Sequence, residues 1–273
     1  MSRLLEFRDV SFAHGTRTLL DRISFAVEER DMVALLGPNG VGKTTLLKLI
    51  SRLLVPASGE VLLMGRNVAD WPRRELPRHV ALIPQELEIP FHYPVEELVL
   101  QGRVPYMPLF SAAPSHADRE AVESAMEAVD ITGLRHRFYS ELSGGERQRV
   151  KIAIGLAQQA RLMLLDEPTQ HLDVGRQIEL LALLRRLNER GITIIAAAHD
   201  LNLVAENFSS AILLTPEPAW IAGLISDVLR PKLLQRAFSV DPAVLARYCV
   251  APSADGLAQV FPDEQRYSGR MPQ

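Results

Sequence analysis

At 273 residues the chain fits one or two domains with a core large enough to fold without covalent staples. Its single cysteine, Cys249, excludes an intrachain disulfide framework and points to a reducing compartment. Thirty Lys and Arg against thirty-three Asp and Glu give a formal net charge of −3, which argues against nucleic acid as a partner.

Residues 1–9 hold no apolar core of signal-peptide length. The longest apolar runs, such as 192–198, fall well short of the about 18 residues that cross a bilayer, so a soluble cytosolic polypeptide is expected. Short strands are predicted at 4–12, 23–27, 32–36, 61–64 and 80–83. Between the third strand and a helical pattern carrying Leu46, Leu49, Ile50 and Leu53 stands Gly37-Pro38-Asn39-Gly40-Val41-Gly42-Lys43-Thr44, which fits G-x-x-x-x-G-K-[ST]. Glycines there let backbone N–H groups converge on an anion at a helix N-terminus. Gly37, Asn39, Gly40, Gly42, Lys43, Thr44 and Thr45 are the candidate nucleotide ligands, with Lys43 on the β- and γ-phosphates and the Thr44 hydroxyl on Mg²⁺.

From 85 to 139 the pattern changes to proline-punctuated helices, one of them capped by Ser115 with an apolar stripe at Val122, Ala125, Met126 and Val129. Buried strands follow at 162–165 and 192–198. They are separated by a helix over about 175–190 that Gly191 can end, and this alternation predicts a parallel sheet. The first of these strands runs into Asp166 and Glu167, at the end where α/β ligand crevices lie. Asp166 can hold Mg²⁺ through water and Glu167 can accept a proton from a nucleophilic water, although alone the pair could be a solvated strand end. Beyond 215 the pattern weakens around Pro216, Pro218, Pro231 and Pro242, with a short helix over 231–238 and a frayed tail over the last dozen residues.

Leu142-Ser143-Gly144-Gly145-Glu146-Arg147-Gln148-Arg149 contains an S-x-x-E capping box and so a second helix N-terminus rich in glycine. This stretch resembles the signature motif of ABC-type ATPases. The resemblance covers about residues 3–240 and implies ATP and Mg²⁺ as cofactors. It also implies a head-to-tail homodimer, in which ATP lies between the P-loop of one subunit and Ser143, Gly144 and Gly145 of the other. It further implies that Gln85 is the Q-loop glutamine reaching Mg²⁺ and the attacking water, that His199 is the switch histidine at the γ-phosphate, and that Asp173 is the D-loop aspartate at the dimer interface. Where the family stacks a tyrosine on adenine this chain has His14, which can stack with less area or be a turn residue. His171 stands where the family more often has a small residue and is assigned no role.

Phe91-His92-Tyr93-Pro94 through Gly102-Arg103-Val104-Pro105, His199-Asp200-Leu201-Asn202-Leu203 and the ending around 227–241 resemble the ATP-binding subunits of bacterial importers for iron-siderophores, haem and vitamin B12. The expected fold is α/β: a P-loop NTPase core with a mostly parallel sheet, an N-terminal antiparallel β-subdomain and an inserted α-helical subdomain. The expected division is one domain over 1–260, with core at about 1–84 and 160–240, helical insertion at about 86–158, and a tail at 261–273. Expected partners are transmembrane permease subunits and, indirectly, a substrate-binding protein, with the chain peripheral on the cytoplasmic face of the cell membrane. The alternative is a cytosolic ABC ATPase acting on a soluble partner such as iron–sulfur cluster assembly machinery. Tyr106-Met107-Pro108-Leu109-Phe110, apolar without periodicity, is either packing or part of a partner surface.

Overall fold

The computed structural model describes residues 2–87, 89, 92–108 and 113–239; Pro90, Phe91, Leu109, Phe110, Asp241, Pro242, Cys249 and the expected tail at 261–273 lie outside the described residues. The chain forms two compact units, one of residues up to Asp70 with those from Ile195 onward, the other Trp71–Ile194. The architecture is α/β, as the apolar runs imply.

In the first unit, strands β1 (Arg3–His14) and β2 (Arg17–Glu28) form a hairpin closed at His14↔Arg17. Both strands extend beyond their predicted apolar stretches. The outer rungs, Ala13↔Thr18 and His14↔Arg17, are exposed and carry no apolar alternation, yet backbone pairing continues through them to the turn. Strand β3 (Met32–Leu36) is wholly buried and leads through the glycine-rich loop into helix α1 (Lys43–Ile50). Strand β4 (Ser58–Leu63) pairs antiparallel with β1 at Leu5↔Leu63 and Phe7↔Val61, and the two-residue β5 (Arg66–Asn67) completes that sheet. The sheet's core holds Leu4, Phe7, Val10, Ile23 and Val61. The Phe7 and Phe25 rings stack with centroids 4.5 Å apart.

The second unit opens with β6 (Val80–Ile83), followed by α2 (Val95–Leu100), α3 (His116–Ala128), α4 (Gly144–Ala157), β7 (Leu162–Leu165) and α5 (Val174–Glu189). Strands β6 and β7 are parallel, pairing Val80↔Leu162 through Ile83↔Leu165. Ser115 caps α3 in a capping box with Asp118, and Val122, Ala125, Met126 and Val129 are buried. Helix α5 ends at Gly191, φ +102. There Ile192 N–H donates to Leu187 O and Gly191 N–H to Asn188 O, the two bonds of a Schellman stop.

Strand β8 (Thr193–Ala197) returns the chain to the first unit, where α6 (Leu201–Asn207), β9 (Ser210–Leu214), β10 (Trp220–Leu224), α7 (Ile225–Val228) and α8 (Pro231–Phe238) follow. Strand β9 pairs parallel with β3, and β10 runs antiparallel to β9. Pro216 and Pro218, which break the sequence pattern, fall in the β9–β10 connection and leave both strands intact.

The Gly102-Arg103-Val104-Pro105 stretch is a structural knot. A Cβ at Gly102 would lie 2.3 Å from Ile154 O, so only glycine lets the short 3₁₀ turn Gln101–Arg103 press against α4. Arg103 is buried, pairs through Nε with Asp118 Oδ1 at 2.9 Å, and donates from Nη1 to Ala157 O, an end carbonyl of α4, at 2.7 Å. Tyr106 lies under this guanidinium, its ring centroid 3.9 Å from Cζ, and donates its hydroxyl to Gln158 O. Of the two alternatives for the apolar stretch, packing therefore holds at Tyr106.

Candidate functional site

The first unit carries the phosphate cradle. Gly37 follows β3 at φ +139, and a Cβ there would lie 2.6 Å from Leu214 O, so neither the backbone angle nor the neighbouring strand admits a side chain. Gly42, the N-cap of α1 at φ +119, has no side chain to cap the helix, so its amide-rich end is left to the loop. Gly40, φ +74, has open space on its Cβ side. Lys43 is buried and folds back, with Nζ 2.8 Å from Gly37 O and 3.3 Å from Pro38 O. The ammonium is thus held by the loop's own carbonyls, over the strand-to-helix turn where an anion would be met. Thr44 and Thr45 are half-buried on the first turn of α1, and Asn39 is exposed at the loop's crest.

His199 follows β8 in the same unit. Ala198 N–H donates to Leu35 O, which aligns the end of β8 with the end of β3. The histidine is exposed just before Asp200, whose carboxylate caps α6 through Asn202 N–H and Leu203 N–H. His14 is exposed and is the last residue of β1, a strand end and not a turn position.

The second unit carries the acidic and glutamine elements. Asp166, 7% exposed, continues β7, its N–H donating to Ile83 O at 3.0 Å. Because β6 and β7 are parallel and in register, Gln85 and Asp166 emerge at the same carboxyl end, where the Gln85 side-chain amide hydrogen-bonds to Gln170. Glu167 is half-buried with φ +50, a left-handed conformation that costs a glutamate about 1–2 kcal/mol and that clusters at working sites. His171 also holds φ +62 in the following turn. Asp173 caps α5 through Arg176 N–H and pairs with the Arg176 guanidinium at 3.2 Å, so within the chain its carboxylate serves its own helix.

Ser143 begins α4 in the expected capping box: its N–H donates to Glu146 Oε2 at 2.8 Å and its Oγ accepts from Glu146 N–H. Ser143 and Gly144 are exposed. Gly145 lies beneath Arg176, where a Cβ would meet Nη1 at 2.3 Å, and the same Nη1 donates to Ser143 Oγ at 3.3 Å. Hydrogen bonds from the Ser143 backbone and hydroxyl hold the Glu146 carboxyl below the usual range.

Two residues escaped the sequence motifs: Arg176 and Lys151. Lys151, on α4, is buried with Nζ 2.7 Å from Gln85 O and 3.4 Å from Pro84 O. Burial holds its ammonium below the usual lysine range, with Glu86 acting the other way. A lysine inside the apolar run Val150, Ile152 and Ala153 was the signal that could have marked it. Within the second unit Gln85 and Asp166 are oxygen donors of the kind a small hard cation such as Mg²⁺ takes, and Thr44 in the first unit carries another.

The family model described as ABC transporter matches residues 20–170. The chain is 38% identical over 237 residues to the ferric enterobactin transport ATP-binding protein FepC of Escherichia coli (strain K12), covering 86% of this chain and 87% of that protein. It is 36% identical over 236 residues to the hemin import ATP-binding protein HmuV of Gloeobacter violaceus, covering 84% and 85%. A solved metal-chelate type ABC transporter in an inward-facing conformation superposes with a TM-score of 0.79 at 28% identity, over 88% of this chain and 90% of that one. No helix among the described residues is long and apolar enough to cross a membrane. With the glycine cradle, the strand-end acids and the capped Ser143 helix standing on this fold, the chain belongs to the ABC transporter family as a nucleotide-binding subunit that hydrolyses ATP.

Proposed function

We propose that the chain is the ATPase of a bacterial importer for an iron complex, either a siderophore or haem, working on the cytoplasmic face of the membrane with permease subunits and, through them, a substrate-binding protein. The observation that carries this reading is the 38% identity to FepC over 86% of the chain, with the phosphate cradle, Gln85, the 142–149 stretch, Asp166, Glu167 and His199 all present. Gly37, Asn39, Gly40, Gly42 and Thr45 bind the phosphates through the cradle, and Lys43 answers the β- and γ-phosphate charge. Thr44, Asp166 and Gln85 would hold Mg²⁺, which would neutralise phosphate charge.

Water attacks the γ-phosphorus in line. The bond from that phosphorus to the β,γ-bridging oxygen breaks, its electron pair leaves with ADP, and Glu167 accepts the water's proton. His199 steadies the γ-phosphate, and His14 lies against the adenine. Ser143, Gly144 and Gly145 act on the nucleotide of a second copy in a head-to-tail homodimer, with Asp173 at that interface. The domain division that fits these roles is a core of about 1–84 and 160–240 with a helical insertion over about 86–158.

Steady-state hydrolysis by Glu167→Gln is the test of the base. A loss of kcat on the order of 10²- to 10⁴-fold with ATP still bound is expected; wild-type turnover would remove Glu167 from that role. Uptake of iron-siderophore and haem by cells carrying this subunit with its permease tests the cargo, and absence of uptake for both classes would reject it.

A further inference from the structure

Lys151 is the one lysine on α4 and it is buried, next in sequence to the buried apolar residues Val150, Ile152 and Ala153. Among the described residues its ammonium forms no salt bridge, and Glu86 acts on it only through the longer-range attraction of its charge. Its hydrogen bonds go to two main-chain carbonyls, those of Pro84 and Gln85. A buried cation spent on carbonyls is costly unless the contact fixes something. Here the fixed element is the short segment that leaves β6 with Gln85. The glutamine is held on two sides: its carbonyl by Lys151 from α4, its side-chain amide by Gln170 from the turn after β7. Lys151 is also about two helical turns, roughly 12 Å, from Ser143 along the same helix. A displacement of the Gln85 segment therefore pulls on the helix whose first turn is Ser143, Gly144 and Gly145.

We propose that Lys151 is a positioning residue: by clasping the Gln85 carbonyl from α4 it sets the reach of the Gln85 side chain and makes the Gln85 segment and the Ser143 helix move as one piece. The proposal rests on the role given to Gln85 above. Lys151 touches neither nucleotide nor water, and it acts through the backbone of a residue that does.

Four full-length chains test it: wild type, Lys151→Met, Gln85→Ala and the double variant. Hydrogen exchange of the nucleotide-free proteins reads the clasp directly. In Lys151→Met the amides from Gln85 to Leu87 should exchange about tenfold faster, while those of α1 are unchanged. In steady-state hydrolysis, Lys151→Met should lower kcat about tenfold with KM for ATP within about twofold, and on the Gln85→Ala background it should lower kcat no further. Lys151→Arg, which keeps the donors, should recover most of the lost kcat. If Lys151→Met does not fold, Lys151→Gln, which can still donate to one carbonyl, runs through the same cycle and should fall between wild type and Gln85→Ala. Unchanged exchange at 85–87, or a kcat loss that persists in full on the Gln85→Ala background, would overturn the clasp while leaving the role of Gln85 intact. Wild-type turnover by Gln85→Ala would instead overturn the role on which the clasp depends, and the clasp with it.

Discussion

Individual side chains at the nucleotide motifs are placed by backbone geometry as much as by their own chemistry. Lys43 is held by two carbonyls of the loop it serves, and Glu167 stands in a left-handed conformation that only surrounding structure sustains. His14 lies at an exposed strand end whose register is set by the β1–β2 hairpin, so its ring is presented by the ladder and not by a loop. A contact with adenine made equally in ground and transition states changes KM alone. His14→Ala is expected to raise KM for ATP by about fivefold, the equivalent of about 1 kcal/mol, with kcat unchanged. Titrating ATP in steady-state assays checks this, and an unchanged KM would leave the histidine with no part in binding.

Among the elements, a buried ion pair joins the helices of the second unit. Arg103 and Asp118 have side chains only 6% and 8% exposed, and they tie the 3₁₀ turn, the start of α3 and the end of α4 together. Burial works to raise the Asp118 pKa and is the largest influence, but donation from Ser115 and Arg103 together outweighs it and the value falls below that of an ordinary aspartate. A carboxyl lowered in the folded state contributes stability that is present above its unfolded pKa of about 4 and is lost as pH falls through the folded value. Asp118→Asn leaves the buried guanidinium uncompensated, and a loss of about 3–5 kcal/mol is expected in urea unfolding near neutral pH. The variant's stability should also fall less steeply below pH 4 than that of the wild type. An equally steep acid limb in both would show that other carboxylates govern it.

At the scale of the whole molecule, exposed apolar side chains mark where other chains are expected to bind. Val174 and Ile178 are 69% and 56% exposed on the helix that Asp173 begins, in keeping with its assignment to a dimer interface. Glu167→Gln, expected to bind ATP without hydrolysing it, should dimerise on adding MgATP and dissociate with ADP; light scattering reads this, and a monomer at saturating MgATP would count against the ATP sandwich. Val104, 48% exposed beside the Arg103 knot, is the described position best suited to testing the expected permease surface. Val104→Glu should reduce permease co-purification and uptake while ATP binding by the free subunit is retained; full transport by this variant would move the surface elsewhere.

Sequence by itself determined the features that depend on local chain chemistry. The glycine cradle with Lys43, the helix cap at Ser115 and the capping box at Ser143, the buried strands ending at Leu36 and Leu165, and the stop at Gly191 all follow from residue type and spacing within a few neighbours. Their places in chain order were enough to identify the family. Tertiary structure decided what depends on partners distant in sequence. Strand β10 forms because β9 offers it a ladder across a proline-rich connection, and β1 and β2 outrun their apolar residues because backbone pairing does not require burial. Gly102 and Arg103, which in sequence mark only a resemblance to importers, prove to be a contact with the end of α4. Lys151 carried no motif at all. Its meaning lies in two carbonyls more than sixty residues earlier in the chain, and only the fold brings the buried ammonium to them.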